Sequence, residues 1–145
     1  MAAELAKRGI LPNILPEGFP DADVAFTDYN GDVKGFIQVK SMHPDRANSC
    51  DLGRKADSWI NAPNNHYLIA VWLGSPKLKE SPVYWIATKK QVGKYIKSFA
   101  PYKNRERRFA PDLESKLSKW PYLRFPKEWR NRWDIFDVFS PKEVK

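Results

Sequence analysis

The segment Tyr67–Leu73 (YLIAVWL) constrains the fold more than any other part of the sequence. It is an uninterrupted apolar run whose length suits a strand better than a helix. A strand with one face in water alternates apolar and polar side chains, whereas a continuous run is typical of a strand covered on both faces. The run therefore predicts a central, fully buried strand, and with it an α/β fold in which helices flank the sheet.

Shorter patterns place further elements around this strand in a chain of 145 residues. Helices are predicted at Ala2–Lys7, Arg54–Ile60, Lys89–Phe99 and Asp112–Lys119. Further strands are predicted at Ile10–Leu15, interrupted by Pro12, and at Val83–Ala87. Together these elements predict a single α/β domain with a mixed central sheet of about four or five strands.

Residues 20–42 (PDADVAFTDYNGDVKGFIQVKSM) predict a β-hairpin. The dipeptide Asn30-Gly31 accepts the positive φ angles of a two-residue hairpin turn. The flanking segments, Asp23–Asp28 and Val33–Met42, have strand character.

One face of this hairpin carries the groups with the most informative chemistry. Side chains alternate along the second strand, so Gln38 and Lys40 share a face. With Asp23 near the start of the partner strand, oxygen ligands lie beside an ammonium, an arrangement that can hold Mg²⁺ against a phosphate. The same alternation also fits the solvent face of an ordinary antiparallel hairpin.

The region from Met1 to Met42 resembles the core of the PD-(D/E)xK nuclease superfamily, which includes restriction endonucleases and archaeal Holliday-junction resolvases. The matching stretches are AAELAKRG, ILPNIL, PDADV and FIQVKS. In that family a helix precedes a hairpin, an Asp follows a Pro or Gly, and a Glu or Gln lies two residues before a Lys. The resemblance implies a restriction endonuclease-like mixed central sheet flanked by helices, and one nuclease-like domain over residues 1–145.

The resemblance also assigns roles by position. Asp23 becomes the metal-binding carboxylate (with Asp21 as the alternative register), Gln38 a second ligand, and Lys40 the lysine of the motif. The backbone carbonyl of Val39 is expected as an additional ligand. The implied activity is that of a Mg²⁺- or Mn²⁺-dependent endonuclease that hydrolyses phosphodiester bonds in DNA. The ion would lower the pKa of a bound water, which Lys40 would position.

Two positions depart from the family pattern. Gln38 is neutral where a second acidic ligand is usual, and Glu4 lies only about one turn before Arg8 instead of two to three turns. Charge count governs the affinity of a site for Mg²⁺. The sequence therefore also allows a catalytically inactive nucleic-acid-binding module of the same fold. A third alternative is a protein-interaction domain that docks through its aromatic tail.

Charge is distributed unevenly along the chain. Residues 1–88 carry 9 basic and 10 acidic side chains, whereas residues 89–145 carry 16 and 7, which gives the net charge of +8. A positive field attracts polyanions and supports DNA as the partner. The candidate contacts to the nucleic-acid backbone are Arg105, Arg107, Arg108, Arg130 and Arg132.

The aromatic tail and the remaining composition give three more expectations. Trp129, Trp133 and Phe136 have helical spacing and are expected to pack against the sheet instead of stacking on bases. The single cysteine, Cys50, and the lack of a membrane-length apolar run favour a cytoplasmic protein without a membrane partner. A homodimer also fits, because many related nucleases pair in order to cut two strands.

Overall fold

The computed structural model describes residues 1–43, 49–98, 108–111 and 123–139. Its main sheet has five strands, in the order β1 (Leu11–Ile14), β2 (Val24–Thr27), β3 (Val33–Met42), β5 (His66–Trp72) and β6 (Val83–Thr88). The neighbours β1, β2 and β3 are antiparallel, β3 and β5 are parallel, and β5 and β6 are antiparallel. The predicted mixed sheet of four or five strands is confirmed.

A second, smaller sheet and several short helices complete the described part of the fold. The small sheet contains β4 (Cys50–Asp51), β7 (Arg108–Ala110) and β8 (Leu123–Arg124). The α-helices are α1 (Ala2–Lys7) and α2 (Lys89–Lys97), and 3₁₀ helices span Arg54–Asn61, Pro76–Leu78, Lys127–Trp129 and Trp133–Phe139. The helix predicted at residues 112–119 lies outside the described residues.

Strand β5 is buried on both faces, as its sequence predicts. Leu68, Ala70 and Trp72 face a cluster that also includes α2 residues, here called the α2-side core. Tyr67 and Ile69 face a cluster that includes Leu5 of α1 and Phe26 of β2, here called the α1-side core. The continuous apolar run therefore serves two cores at once, which is why it lacks polar alternation.

Pro12 lies within β1 without breaking it, because β1 is an edge strand. The Leu15 N–H donates to the Asp23 carbonyl at 2.9 Å, so odd-numbered residues of this segment face β2. The nitrogen of Pro12 therefore points away from β2, where a missing N–H costs no ladder hydrogen bond.

The turn between β2 and β3 differs from the predicted two-residue turn. Thr27 pairs with Val33, so residues 28–32 form the connection. The Asp28 carboxylate accepts hydrogen bonds from the backbone N–H groups of Asn30 and Asp32, at 2.9 and 3.0 Å. The two-residue prediction is wrong because this Asp side chain organises a longer loop, in which only the glycine of Asn30-Gly31 has a positive φ.

The segment 123–139 crosses the edge of the main sheet and reaches both cores. Phe125 belongs to the α2-side core, whereas Trp133 and Phe136 belong to the α1-side core. Between them the Asn131 N–H donates to the Tyr84 carbonyl of β6 at 2.8 Å. Packing against the sheet is thus confirmed for Trp133 and Phe136. A single helical face is not, because the segment contains two separate 3₁₀ helices.

Helix α2 approaches the 3₁₀ helix Arg54–Asn61 at a point where only glycine fits. A Cβ atom added to Gly93 would lie 2.8 Å from the carbonyl carbon of Trp59 and 2.9 Å from the Cα of Ile60. These are backbone atoms, which cannot rotate away as a side chain can. The close approach therefore fixes where α2 lies against the 3₁₀ helix.

We expect Gly93→Ala to destabilise the protein by about 1–3 kcal/mol, because the added methyl group overpacks this contact. Helix propensity alone would favour Ala by about 1 kcal/mol. Lys94→Ala, at the exposed neighbouring position, is the control and should change the free energy of unfolding by less than about 0.5 kcal/mol. Urea denaturation measures both variants, and a more stable Gly93→Ala protein would contradict the described packing.

Candidate functional site

Asp23 is bound to β3 through its side chain. Its Oδ2 accepts a hydrogen bond from the Val39 N–H at 2.7 Å, and its own N–H donates to the Ile37 carbonyl at 2.9 Å. Strand β2 begins one residue later, where Val24 pairs with Ile37. The carboxylate therefore takes the hydrogen bond that a longer β2 would have accepted, and it lies against the peptide between Gln38 and Val39.

The Val39 carbonyl points to the same side of β3 as the Asp23 carboxylate. The N–H and C=O of one strand residue face the same neighbouring strand, and the Val39 N–H faces Asp23. The pairing of β2 with β3 ends at Val24, so this carbonyl lies beyond the last strand pair. Carboxylate and carbonyl oxygens are the donors that Mg²⁺ prefers. The predicted ligands Asp23 and Val39 therefore lie together.

The side chains of Gln38 and Lys40 project from the α2-facing side of β3. Their parallel partners on β5 are Leu68 and Ala70, both members of the α2-side core. Gln38 and Lys40 are half-buried, and within the described ranges neither side chain is held by a hydrogen bond or an ion pair. The shared face is the one that the alternation along the strand predicts, and both polar ends are available to a ligand.

A residue that the sequence did not single out, Lys89, completes this group. It is the first residue of α2 and is only 2% exposed. Its Nζ donates to the Asp21 carbonyl at 2.6 Å and lies 4.8 Å from the centroid of the Trp59 ring. Burial lowers the pKa of Lys89, Asp21 and Asp23 oppose that change, and Lys40 adds to it. The Lys89 ammonium therefore lies within electrostatic range of Asp21, Asp23 and Lys40.

A cleft of about 210 Å³ adjoins Lys89. Asp21, the alternative register for the metal carboxylate, lies at this cleft with a positive φ of 61°. Its Oδ1 is 3.6 Å from Nζ of Lys55, whose side chain is 83% exposed. Asp21 therefore lines the cleft, whereas Asp23 is hydrogen-bonded to β3. The lining residues are Asp21, Lys55, Ser58, Trp59, Asn61, Ala62, Pro63, His66 and Lys89.

The predicted nucleic-acid contacts are distributed over several elements. Arg108 lies in β7, half-buried, and donates to the Ser49 hydroxyl at 3.1 Å. Arg130 is half-buried at the edge of β6. Arg132 is exposed but makes two hydrogen bonds to the Asp134 carboxylate, at 2.8 and 3.1 Å. Arg105 and Arg107 lie outside the described residues.

Cys50 is not a candidate nucleophile. Burial raises the pKa of its thiol to about 12, although the nearby Lys40 and Arg108 oppose that rise. The thiol therefore stays protonated at neutral pH and is a poor nucleophile.

The donor set is compatible with a weakly held metal ion. Over the described part of the chain, no three His, Cys, Asp or Glu side chains come together as a metal-binding group. An ion at this site would thus be held by the Asp23 carboxylate, the neutral oxygens of Gln38 and Val39, and water. Such a set suits a hard cation that keeps several water ligands, as Mg²⁺ usually does.

Comparison with known proteins adds no relative from which a role could be transferred. No family model, no curated protein and no solved structure matches this chain. Among the described residues, no helix has the length and apolar character needed to cross a membrane.

His66 lies between the cleft and the hairpin. Its ring contacts that of Phe36, with centroids 5.1 Å apart. Partial burial and then the charge of Lys89 lower the pKa of His66, whereas Asp21 opposes the change. Because this pKa is lower in the folded chain than in the unfolded chain, the unfolded state takes up the proton more readily as the pH falls.

We therefore expect the free energy of unfolding to fall as the pH drops below about 6.5, the ordinary pKa of histidine. The His66→Gln variant should lose part of this pH dependence, because it removes the titrating group. His43→Gln makes the same substitution at an exposed position and is the control for the substitution itself. Urea denaturation at several pH values between about 7.5 and 5 measures these slopes. Equal slopes for the wild type and His66→Gln would contradict the described environment.

Proposed function

We propose that the protein is a metal-dependent endonuclease that hydrolyses phosphodiester bonds in DNA, with Asp23, Gln38 and Lys40 as its catalytic side chains. The observation that carries this proposal is the hydrogen bond from the Val39 N–H to Asp23 Oδ2, 2.7 Å long. It brings the carboxylate of the residue before β2 against the part of β3 that carries the amide and the ammonium.

The order of elements supports a restriction endonuclease-like fold. Helix α1 precedes the antiparallel strands β1, β2 and β3, as in the family that the sequence resembles. Strand β5 then joins β3 in parallel, after the 3₁₀ helix Arg54–Asn61. The candidate residues lie where β2 and β3 stop pairing, which leaves backbone oxygens open to a ligand.

Asp23, Gln38 and Val39 are the residues that would hold Mg²⁺ or Mn²⁺, because all three offer oxygen donors. When bound, such an ion polarises the phosphate and lowers the pKa of a bound water. Lys40 and Lys89 add positive charge near the single Asp23 carboxylate. We therefore expect the ion to bind weakly in the absence of DNA and more tightly when a phosphate is present.

Lys40 has the placement required of an electrostatic catalyst. It projects from the long strand β3, whose parallel pairing with β5 extends over Phe36–Met42 and restricts its backbone. The ammonium on this backbone would stabilise the negative charge that develops on a phosphate oxygen. The basic C-terminal part of the chain would supply phosphate contacts, and a homodimer would allow both strands of a duplex to be cut.

The second candidate function is a catalytically inactive nucleic-acid-binding module. It is favoured by the same hydrogen bond, because closing the end of β2 is already a sufficient structural role for the Asp23 carboxylate. This candidate predicts DNA binding that Mg²⁺ neither strengthens nor converts into cleavage. The nuclease proposal predicts that Mg²⁺ strengthens DNA binding and that cleavage follows.

We expect Lys40→Met to lower the rate of Mg²⁺-dependent DNA cleavage by about 100-fold or more, since it removes the ammonium but keeps most of the aliphatic chain. The melting temperature should change little. Lys34→Met is the matched control, because Lys34 lies on the same strand and face, beside Asp28 at 3.4 Å. Single-turnover cleavage of duplex and branched DNA measures the rates. A fully active Lys40→Met variant would remove Lys40 from the mechanism.

A further inference from the structure

Positive charge exceeds negative charge in the lining of the cleft. The lining carries the ammonium groups of Lys55 and Lys89 and the carboxylate of Asp21. The charge of Lys89 also interacts with the charges of Asp23 and Lys40. Two cations against one anion leave one positive charge in this partly enclosed space. Charges in such a space are less screened than charges on an open surface.

Lys89 is the most informative member of this group because it is buried. An ammonium has three N–H donors, and the described residues give Lys89 one oxygen acceptor, the Asp21 carbonyl, and the face of the Trp59 ring. Burying a charged group is unfavourable unless it is paired and hydrogen-bonded. An anion in the adjoining cleft would supply the missing acceptors.

The cleft has the size and the polar lining for a phosphate group. Its volume of about 210 Å³ holds a phosphate with several water molecules, given about 30 Å³ for each water. Ser58, Asn61 and His66 add hydrogen-bonding side chains to its wall, and Lys55 lies at its solvent side. One side of the cleft is thus charged and open, and its floor is charged and buried.

We propose that this cleft binds a phosphate of the nucleic-acid backbone adjacent to the phosphate at Asp23, with Lys55 at the mouth and Lys89 at the floor. The inference deepens the proposed function and rests on it, because the two phosphates belong to one strand. Lys89 links the two positions, because it lines the cleft and its charge interacts with that of Asp23. The cleft would therefore set which phosphodiester bond reaches the candidate catalytic residues.

The test measures binding of a short fluorescent oligothymidylate in EDTA, where no metal-dependent cleavage takes place. We expect Lys55→Gln to weaken binding about threefold and Lys89→Met about tenfold or more, because a buried charged contact contributes more than an exposed one. Lys90→Met is the matched control. Lys90 follows Lys89 on α2, and its Nζ bonds to Asn64 at 2.9 Å. The Lys90→Met variant should change the affinity for the oligonucleotide less than twofold.

Wild-type affinity in Lys55→Gln and Lys89→Met, or an equal loss in Lys90→Met, would overturn the cleft assignment. If Lys89→Met does not fold, as judged by its melting curve, Lys55→Gln decides the question, because Lys55 is largely exposed. Thymidine monophosphate binding as tightly as the oligomer would identify a nucleotide pocket and would also overturn the assignment to a strand backbone.

A cleavage assay distinguishes failure of the nuclease proposal from failure of the cleft assignment. Cleavage in Mg²⁺ by wild type and Asp23→Asn tests the catalytic residues, whereas binding in EDTA tests the cleft. Loss of affinity in the cleft variants without any wild-type cleavage would keep the phosphate site and reject the nuclease.

Discussion

The hydrogen bond between the Val39 N–H and the Asp23 carboxylate joins the loop before β2 to the central part of the sheet. Strand β3 is fixed in turn by its parallel pairing with β5, whose side chains are buried in two cores. The position of the Asp23 carboxylate is therefore set by the core of the protein. The proposed nuclease would need a carboxylate held in this way, because electrostatic catalysis requires preorganised groups.

Electrostatics around this bond favour an anionic ligand over a free cation. The buried Lys89 and the half-buried Lys40 lie near the same carboxylates. A phosphate offsets these positive charges, and the oxygens of the phosphate add ligands that the protein does not supply to a metal. In the proposed nuclease, DNA and the metal ion would therefore bind with positive coupling.

Local sequence patterns were sufficient to predict most of the main sheet and much of the candidate site. The apolar run of β5 and the alternation of Gln38 and Lys40 depend on near neighbours in the chain, and both are confirmed as placements. Lys89 was missed because the first residue of an amphipathic helix normally lies in water. Its burial follows from packing between α2 and the distant 3₁₀ helix Arg54–Asn61, to which no local pattern points.

The most direct test of the site is a crystal structure with Mn²⁺ and a non-hydrolysable oligonucleotide, recorded with anomalous scattering. We predict an anomalous peak within about 2–2.5 Å of an Asp23 carboxylate oxygen and the Val39 carbonyl, with Lys40 facing the bound phosphate. Ordered DNA without a peak at this position, or a peak elsewhere in the protein, would contradict the assignment of Asp23 and Val39 as metal ligands.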